Sequence, residues 1–201
     1  MTTTISRLYN SYTDAQEAVR SLEAAGLSQN DISIMASNAE GWYSGKDHDR
    51  DNDGTDDRAE GAAKGAGIGA ALGGGVGLLT GLGLLAIPGV GPVVAAGWLA
   101  ATAAGALAGG ATGGIVGALT EAGVSKDDAE VYAEGIRRGG ALVTARVPDG
   151  ERANYEAVMD RAAVNVRERG TAYRRSGWSG YDPNAAPYTR DQVTAERNLY
   201  R

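Results

Sequence analysis

The sequence predicts a mixed α/β (α+β) fold, a ferredoxin-like sandwich that carries an inserted glycine-zipper helical hairpin and ends in a polar C-terminal tail. Three observations predict it. Residues 5–36 follow the pattern strand, helix, strand, and residues 141–167 begin with another strand followed by a helix. Between these pieces, residues 65–120 carry no charged side chain. One antiparallel sheet with helices on one side would join the two pieces, with the glycine-rich segment inserted between them.

The first half of the predicted domain covers residues 1–37. Apolar and polar residues alternate over residues 5–9, which is typical of a strand. The sequence TDAQ at 13–16 matches a capping box, so a helix is expected to start there, and Gly26 stands where a helix often ends. The sequence ISIMA at 32–36 predicts the second strand.

The second half covers residues 122–170. Ser125 opens another capped helix, which the Gly-Gly pair at 139–140 is expected to end. The sequence ALVTARV at 141–147 is rich in aliphatic and β-branched side chains and predicts a strand. A third helix is expected after that strand, and residues 164–167 predict a short edge strand.

Residues 171–201 form the predicted tail, which is rich in Arg, Tyr, Gly, Pro and Asn and shows no apolar period. This composition is typical of a segment that is disordered or becomes ordered on contact. Trp178, Tyr181 and Tyr188 are its candidate contact residues, because aromatic rings bury a large area on a partner or on the chain's own sheet. A last helical turn is expected over residues 196–201.

The inserted segment, residues 64–121, places a glycine at almost every fourth position on either side of a break at residues 87–92. Four residues are just over one helical turn, so each series forms a stripe without side chains along one helix face. Two such stripes let two helices approach backbone to backbone, as in a glycine zipper. The candidate helix-packing residues are Gly65, Gly69, Gly73, Gly77 and Gly81 in the first arm and Gly97, Gly105, Gly109, Gly113 and Gly117 in the second.

The hairpin permits two interpretations. As helices, residues 65–87 and 93–120 would be about 35 Å and about 42 Å long, enough to cross a hydrocarbon core of about 30 Å. Basic residues flank the segment and none lies in its turn, which favours both termini in the cytoplasm. The first interpretation is therefore a protein of the cytoplasmic membrane that self-associates through its stripes. Because Gly and Ala insert poorly into lipid, the alternative is a cytoplasmic protein whose hairpin packs on its own sheet or in an oligomer.

Residues 38–63 form an acidic linker that contains a candidate calcium loop. The sequence DRDNDGTDDRAE at 49–60 matches the calcium-loop template, in which oxygen ligands at fixed intervals converge on one hard cation. The candidate ligands are Asp49, Asp51, Asp53, Thr55 and Glu60. Asp56 stands where an apolar residue is usual, and no helix is expected to lead into the loop. A solvated acidic linker without calcium is the alternative interpretation.

Composition excludes several other functions. The chain has no Cys and one His, His48, so disulfides, thiolate chemistry, a multi-histidine metal site and a catalytic triad are excluded. The net charge of −6, without a basic patch, argues against nucleic-acid binding. The glycine motifs at 67–69 and 81–83 lack the preceding strand and the following acidic residue of a dinucleotide site. We therefore expect no enzyme activity and no cofactor other than calcium.

Four stretches of the sequence carry a family resemblance. The first stretch extends from RLY at 7–9 to LEAAG at 22–26, and the second is DISI at 31–34. The third is IPGVGPVVAAGW at 87–98, and the fourth is VYAEG at 131–135 with the glycine pair and strand that follow. Together they resemble the general stress protein 17M-like family of bacteria, often labelled low-temperature-induced proteins. The resemblance implies a stress-linked, non-catalytic protein with no catalytic residue to carry over. The expected function is a stress protein anchored or self-assembled at the membrane, and a soluble ligand- or calcium-responsive module is the alternative.

Overall fold

The structure is a computed structural model that describes residues 1–43, 82–108 and 114–200. The strands are β1 (Thr2–Tyr9), β2 (Ile32–Ser37), β3 (Gly83–Ile87), β4 (Gly91–Gly97) and β5 (Ala141–Pro148). The α-helices are α1 (Tyr12–Ala24), α2 (Trp98–Ala108), α3 (Gly114–Glu121), α4 (Lys126–Arg137), α5 (Arg152–Met159), α6 (Val166–Arg175) and α7 (Arg190–Leu199). Within the described ranges, the strands form one antiparallel five-stranded sheet in the order β1-β5-β2-β4-β3. The mixed α/β class predicted from the sequence is confirmed.

Strands β1 and β2 run parallel to each other, with β5 between them and antiparallel to both. Ile5 on β1 lies opposite Ala145, and Ile34 on β2 lies opposite Val143. The helix α1 connects β1 to β2, so the predicted strand–helix–strand unit is present. The gap that this connection leaves between β1 and β2 is filled by β5, which joins the two halves of the chain in one sheet.

Helices cover both faces of the sheet. One buried cluster joins Ile34 on β2 to α1 and α5, and another joins the next residue, Met35, to α2, α3 and α4. Successive side chains of a strand point to opposite faces, so a strand that is apolar at both positions needs cover on both sides. The prediction of helices on one side is therefore wrong. The helix α2, which carries no charge, and the helix α3, whose charged residue is the terminal Glu121, contribute to the additional layer.

The segment predicted as the centre of a helical hairpin forms a β-hairpin. In the β3–β4 pair Leu85 lies opposite Val93, and φ is +70° at Gly89 in the turn and +107° at Gly91, the first residue of β4. On its other side β4 pairs with β2. The helical predictions for residues 82–87 and 93–97 are therefore wrong. Pairing with β2 supplies backbone hydrogen bonds and apolar contacts, whereas glycine disfavours a helix.

Of the candidate helix-packing glycines, the structure describes Gly97, Gly105 and Gly117. Gly97 is not on a helix: it ends β4 at φ +92°, and a Cβ there would lie under 3.0 Å from the Ile32 carbonyl oxygen. Gly105 lies on α2 and Gly117 on α3, and a Cβ at either would meet no described atom within 4 Å outside the local helix backbone. The remaining candidates lie outside the described residues: Gly65, Gly69, Gly73, Gly77, Gly81, Gly109 and Gly113. Packing of the two stripes against each other stays a prediction.

Capping side chains fix where the helices begin. The α4 helix begins after Ser125, whose hydroxyl accepts a hydrogen bond from the Asp128 amide, and the predicted start is confirmed. The α1 helix begins earlier than predicted, because Ser11 rather than Thr13 caps it by accepting from the Asp14 amide. Both starts follow from a serine hydroxyl that satisfies an otherwise unpaired amide of the first turn.

The prediction of an edge strand over residues 164–167 is wrong. In the described structure Val164 makes an isolated bridge, in which its amide donates to the Leu8 carbonyl oxygen at 2.8 Å. Asn165 then caps α6, because its side-chain oxygen accepts from the Arg167 amide. The chain therefore enters a helix where another strand was expected.

Residues 44–81 lie outside the described residues, and the positions on either side of them are close together. The Tyr43 hydroxyl donates to the Leu82 carbonyl oxygen at 2.8 Å. The described residues on either side of this gap are therefore joined by a hydrogen bond.

Candidate functional site

Residues 176–200, the C-terminal arm, fold against the rest of the chain. The arm contains α7, which starts with a complete capping box between Thr189 and Gln192. Val193 of α7 is 1% exposed. The tail predicted to be disordered or ordered on contact is therefore ordered on its own chain. Its helix starts well before the final turn that the sequence predicted.

The first stretch of the arm crosses the β3–β4 turn and the end of α4. The Tyr181 hydroxyl donates to the Pro88 carbonyl oxygen at 2.6 Å. Arg137, the last residue of α4, donates to the Ala186 carbonyl oxygen at 2.8 Å. The Arg137 guanidinium also lies 4.5 Å from the centre of the Tyr188 ring. Two of the aromatic residues singled out in the tail thus contact the chain's own domain.

Three glycines make room for the arm. Each has a positive φ, and a Cβ on any of them would come under 3.0 Å from an arm atom. The pairs are Gly89 with Asp182, Gly91 with Pro187, and Gly139 with Val193. Residues 88–91 and 134–140 therefore form a surface shaped to the arm, the arm groove.

Arg138 is the charged centre of this contact. Its side chain is 8% exposed, and its Nε donates to Glu134 Oε1 at 2.6 Å. Its Nη1 donates to Glu196 Oε1 on α7 at 2.9 Å. The guanidinium lies 4.3 Å from the centre of the Tyr173 ring on α6. One buried cation thus links α4, α6 and α7.

The surroundings keep these groups in fixed protonation states. Burial by itself lowers the pKa of Arg138, but the hydrogen bond and charge of Glu134 and the charge of Glu196 outweigh burial, so the pKa is raised. Burial raises the pKa of Tyr173 to about 12, although Arg169 and Arg138 act in the opposite direction. Arg138 therefore stays charged and Tyr173 neutral at physiological pH, which preserves their cation–π contact.

Glu40 ties the arm to the loop after β2. Arg197 Nη2 donates to Glu40 Oε2 at 2.7 Å, and Arg190 Nη2 donates to the Glu40 carbonyl oxygen at 2.6 Å. These side chains are more exposed than Arg138, so solvent weakens their attraction. The arm is therefore bound to the loop that follows β2 by both a side-chain and a backbone contact of Glu40.

A cleft of about 290 Å³ lies between the arm and α4. Its lining includes Arg137, Trp178 and Tyr188, but Arg137 already donates to the Ala186 carbonyl and to Glu134. The volume is at the lower limit of ligand pockets, which is about 300 Å³. We interpret the cleft as space left beneath a docked arm.

The predicted calcium site is not part of this arrangement. Asp49, Asp51, Asp53, Thr55 and Glu60 lie outside the described residues, so calcium binding stays a prediction. In the described ranges, no three His, Cys, Asp or Glu side chains are grouped so as to hold a metal ion. Across the same part of the chain, no helix is both long and apolar enough to cross a membrane.

Sequence patterns did not reveal the buried charges. Glu134 and Arg138 are spaced like an ordinary surface ion pair on a helix, and nothing nearby in the sequence indicates that they are buried. Glu196 lies on a segment without an apolar period. One pattern could have indicated this contact: Arg137 and Arg138 stand together at a predicted helix end, and the tail is rich in tyrosine. Because Arg stacks well on aromatic rings, the pair could have been predicted to bind the tail.

We expect Gly139→Ala to loosen the arm more than backbone strain alone explains. Gly139 has φ of +99°, where a side chain costs about 1–2 kcal/mol, and its Cβ would also overlap Val193. The control is Gly123→Ala, because Gly123 has φ of +92° and no described atom within 4 Å of its Cβ position. Amide hydrogen exchange of α7 should accelerate in Gly139→Ala only. Equal exchange in both variants would contradict the docking of Val193 on Gly139.

The arginines of the site bind carboxylates and backbone carbonyl oxygens of the same chain. Arg138 is held by two carboxylates, and Arg137 and Arg190 each donate to a backbone carbonyl oxygen. Such an arrangement holds the arm in place.

No protein-family model, curated protein or solved structure matches the chain.

Proposed function

We propose that this protein is a non-enzymatic interaction module of the bacterial general-stress type, in which the described part of the glycine-rich segment packs on its own sheet. The burial of α2 and α3 carries the proposal. Leu99 on α2, and Ile115 and Leu119 on α3, are at most 1% exposed and belong to the cluster that covers one face of the sheet. The stress role is supported by the resemblance of the sequence to the general stress protein 17M-like family.

The energy of this packing favours the domain over a bilayer as the place of α2 and α3. Burying one Leu or Ile side chain stabilises by about 1.5–3 kcal/mol relative to water, and a bilayer would give a similar gain. The difference lies in the sheet, because moving the two helices into lipid would expose Met35 and Val93, which belong to the same cluster. The packed alternative is therefore preferred for α2 and α3. Anchoring in a membrane and association through the glycine stripes would depend on residues outside the described ranges.

We further propose that the domain is a ferredoxin-like sandwich with additions. The support is the order β1-β5-β2, the connecting helix α1, and the helix α5 that follows β5. The bridge between Val164 and Leu8 lies at the outer side of β1, where the last strand of such a sandwich would pair. The β3–β4 hairpin and the layer formed by α2 and α3 would be additions inserted between the two halves.

Fractionation of cells before and after a temperature downshift tests the proposed function. We expect the full-length protein to increase after the downshift and to remain in the supernatant when cells are lysed without detergent. The control variant is Leu119→Asp, because a charged side chain at this position cannot stay in the apolar cluster. This variant protein should appear in the pellet, and that result would show that the assay detects lost packing. Protein that stays with salt-washed membranes and is released by detergent would favour the membrane anchor. Unchanged abundance would remove the stress role.

A further inference from the structure

We propose that the C-terminal arm is exchanged between two copies of the chain, so that the arm of each copy occupies the arm groove of the other. The product would be a symmetric dimer in which the partner supplies the residues that complete the Arg138 centre. The proposal is independent of the proposed function, because it concerns the arm groove and residues 176–200 and not the packing of α2 and α3.

The groove is a built binding site for this segment. Three glycines with positive φ leave the space that Asp182, Pro187 and Val193 need. Polar groups then fix the register of the arm, because Arg137 donates to the Ala186 carbonyl and Arg138 donates to Glu196. The identical arm of a second copy fits the same groove, and this complementarity makes a second copy the expected partner.

The arm joins the domain through a segment that can change direction. The α6 helix ends at Arg175, and Gly177 and Gly180 follow with φ of +94° and +140°. A Cβ at Gly177 would meet no described atom within 4 Å, so the backbone there has room to turn. Rotation in residues 177–180 would point the rest of the arm away from its own groove, as exchange requires.

Opening of the arm releases a small number of buried side chains. In the described α7, Val193 is the buried residue, the arm's Tyr181 packs partly buried against the domain, and Glu196 binds the buried Arg138. Separating the Arg138–Glu196 pair makes opening slow, but a short terminal element opens locally at a fraction of the global free energy of unfolding. Salt weakens the partly exposed pair between Glu40 and Arg197, so exchange should be faster at high ionic strength. The exchanged dimer regains the same contacts.

Disulfide trapping between full-length chains tests the exchange. The chain has no Cys, and a Cβ at Gly139 would lie 3.4 Å from Val193 Cβ, close to the separation of about 3.5–4.5 Å found in disulfides. Chains with Gly139→Cys and chains with Val193→Cys, one of them carrying a size tag, are mixed and then oxidised. We expect a disulfide-linked heterodimer that increases with protein concentration and with salt during mixing.

The control mixture pairs Val193→Cys with Gly123→Cys, a glycine of similar φ that meets no described atom within 4 Å of its Cβ position. Docking raises the local concentration of the two thiols, so the Gly139 mixture should give at least about tenfold more heterodimer than the control. Equal yields would overturn the proposal. The double variant Gly139→Cys/Val193→Cys in one chain, kept dilute, reports the unexchanged arm by an internal disulfide.

Sedimentation of the unmodified chain decides the question if Gly139→Cys does not fold. After incubation at high concentration and high salt, we expect a dimer that persists for a time after dilution, because return to monomer requires the arms to open again. The variant Val193→Asp should abolish this dimer. A monomer at all concentrations, or a dimer that Val193→Asp leaves intact, would overturn the exchange of arms.

Discussion

Ile115→Ala is expected to lower the free energy of unfolding by about 2–5 kcal/mol. Ile115 lies on α3, is 0% exposed, and belongs to the cluster that includes Leu99, Met35 and Leu142. The substitution removes buried methyl groups and leaves a cavity that the surrounding sheet and helices fill only in part. Urea denaturation of the full-length chain, followed by circular dichroism, measures the change.

Two variants on the same helix serve as controls. Ile115→Val removes one methylene group and should cost about 0.5–1.5 kcal/mol. Gly117→Ala should be neutral or stabilise by up to about 1 kcal/mol, because a Cβ at Gly117 meets no described atom within 4 Å outside the local helix backbone and alanine favours a helix. A destabilising Gly117→Ala would support the close backbone contact of a glycine zipper. An Ile115→Ala protein with unchanged stability would show that α3 is not part of the core.

Arg138→Met is expected to lower the free energy of unfolding by about 3–5 kcal/mol. The substitution removes the cation that both Glu134 and Glu196 bind, and Glu134 keeps only Arg137 Nη1, at 3.3 Å, as an ion-pair partner. Glu134 is 5% exposed, so water compensates little of the lost attraction. The docked arm should be affected first, and amide hydrogen exchange in α7 should accelerate before global unfolding.

The matched control is Arg152→Met, which removes an Arg from another i,i+4 ion pair with Glu156. That Arg side chain is 53% exposed, so the loss should be within about 1 kcal/mol. A double variant, Glu134→Leu/Arg138→Met, should recover part of the stability lost in Arg138→Met, because it leaves fewer buried charges unpaired. Similar losses for Arg138→Met and Arg152→Met would contradict the role of Arg138 as a buried centre.

Local patterns in the sequence were sufficient for the elements whose ends are set by neighbouring residues. Ser125 and Gly26 mark helix ends through hydrogen bonds or backbone angles that need no distant partner. The strands β1, β2 and β5 were visible because their apolar residues repeat with the period of a strand or form a β-branched run. From these elements the mixed α/β class followed directly.

The glycine-rich segment shows why spacing alone was not sufficient. An interval of four residues is close to one helical turn, but it is also two full periods of a strand, so Gly97 fits either structure. Residues 91–97 became a strand because β2 offers backbone groups and an apolar surface to β4. That partner lies more than 50 residues away in the sequence, so no short sequence window includes both β2 and β4.

Local sequence patterns specify the short-range elements and the uncharged character of the segment between them. Long-range contacts specify which elements are neighbours: helices pack on both faces of the sheet, part of the predicted helical hairpin pairs as strands, and the tail docks on the domain. The site exists only after these contacts form, because Glu134 and Arg138 meet Glu196 through folding rather than through spacing. The physical reason is that burial and hydrogen-bond partners depend on contacts between distant residues, whereas caps and periodicity depend on near ones.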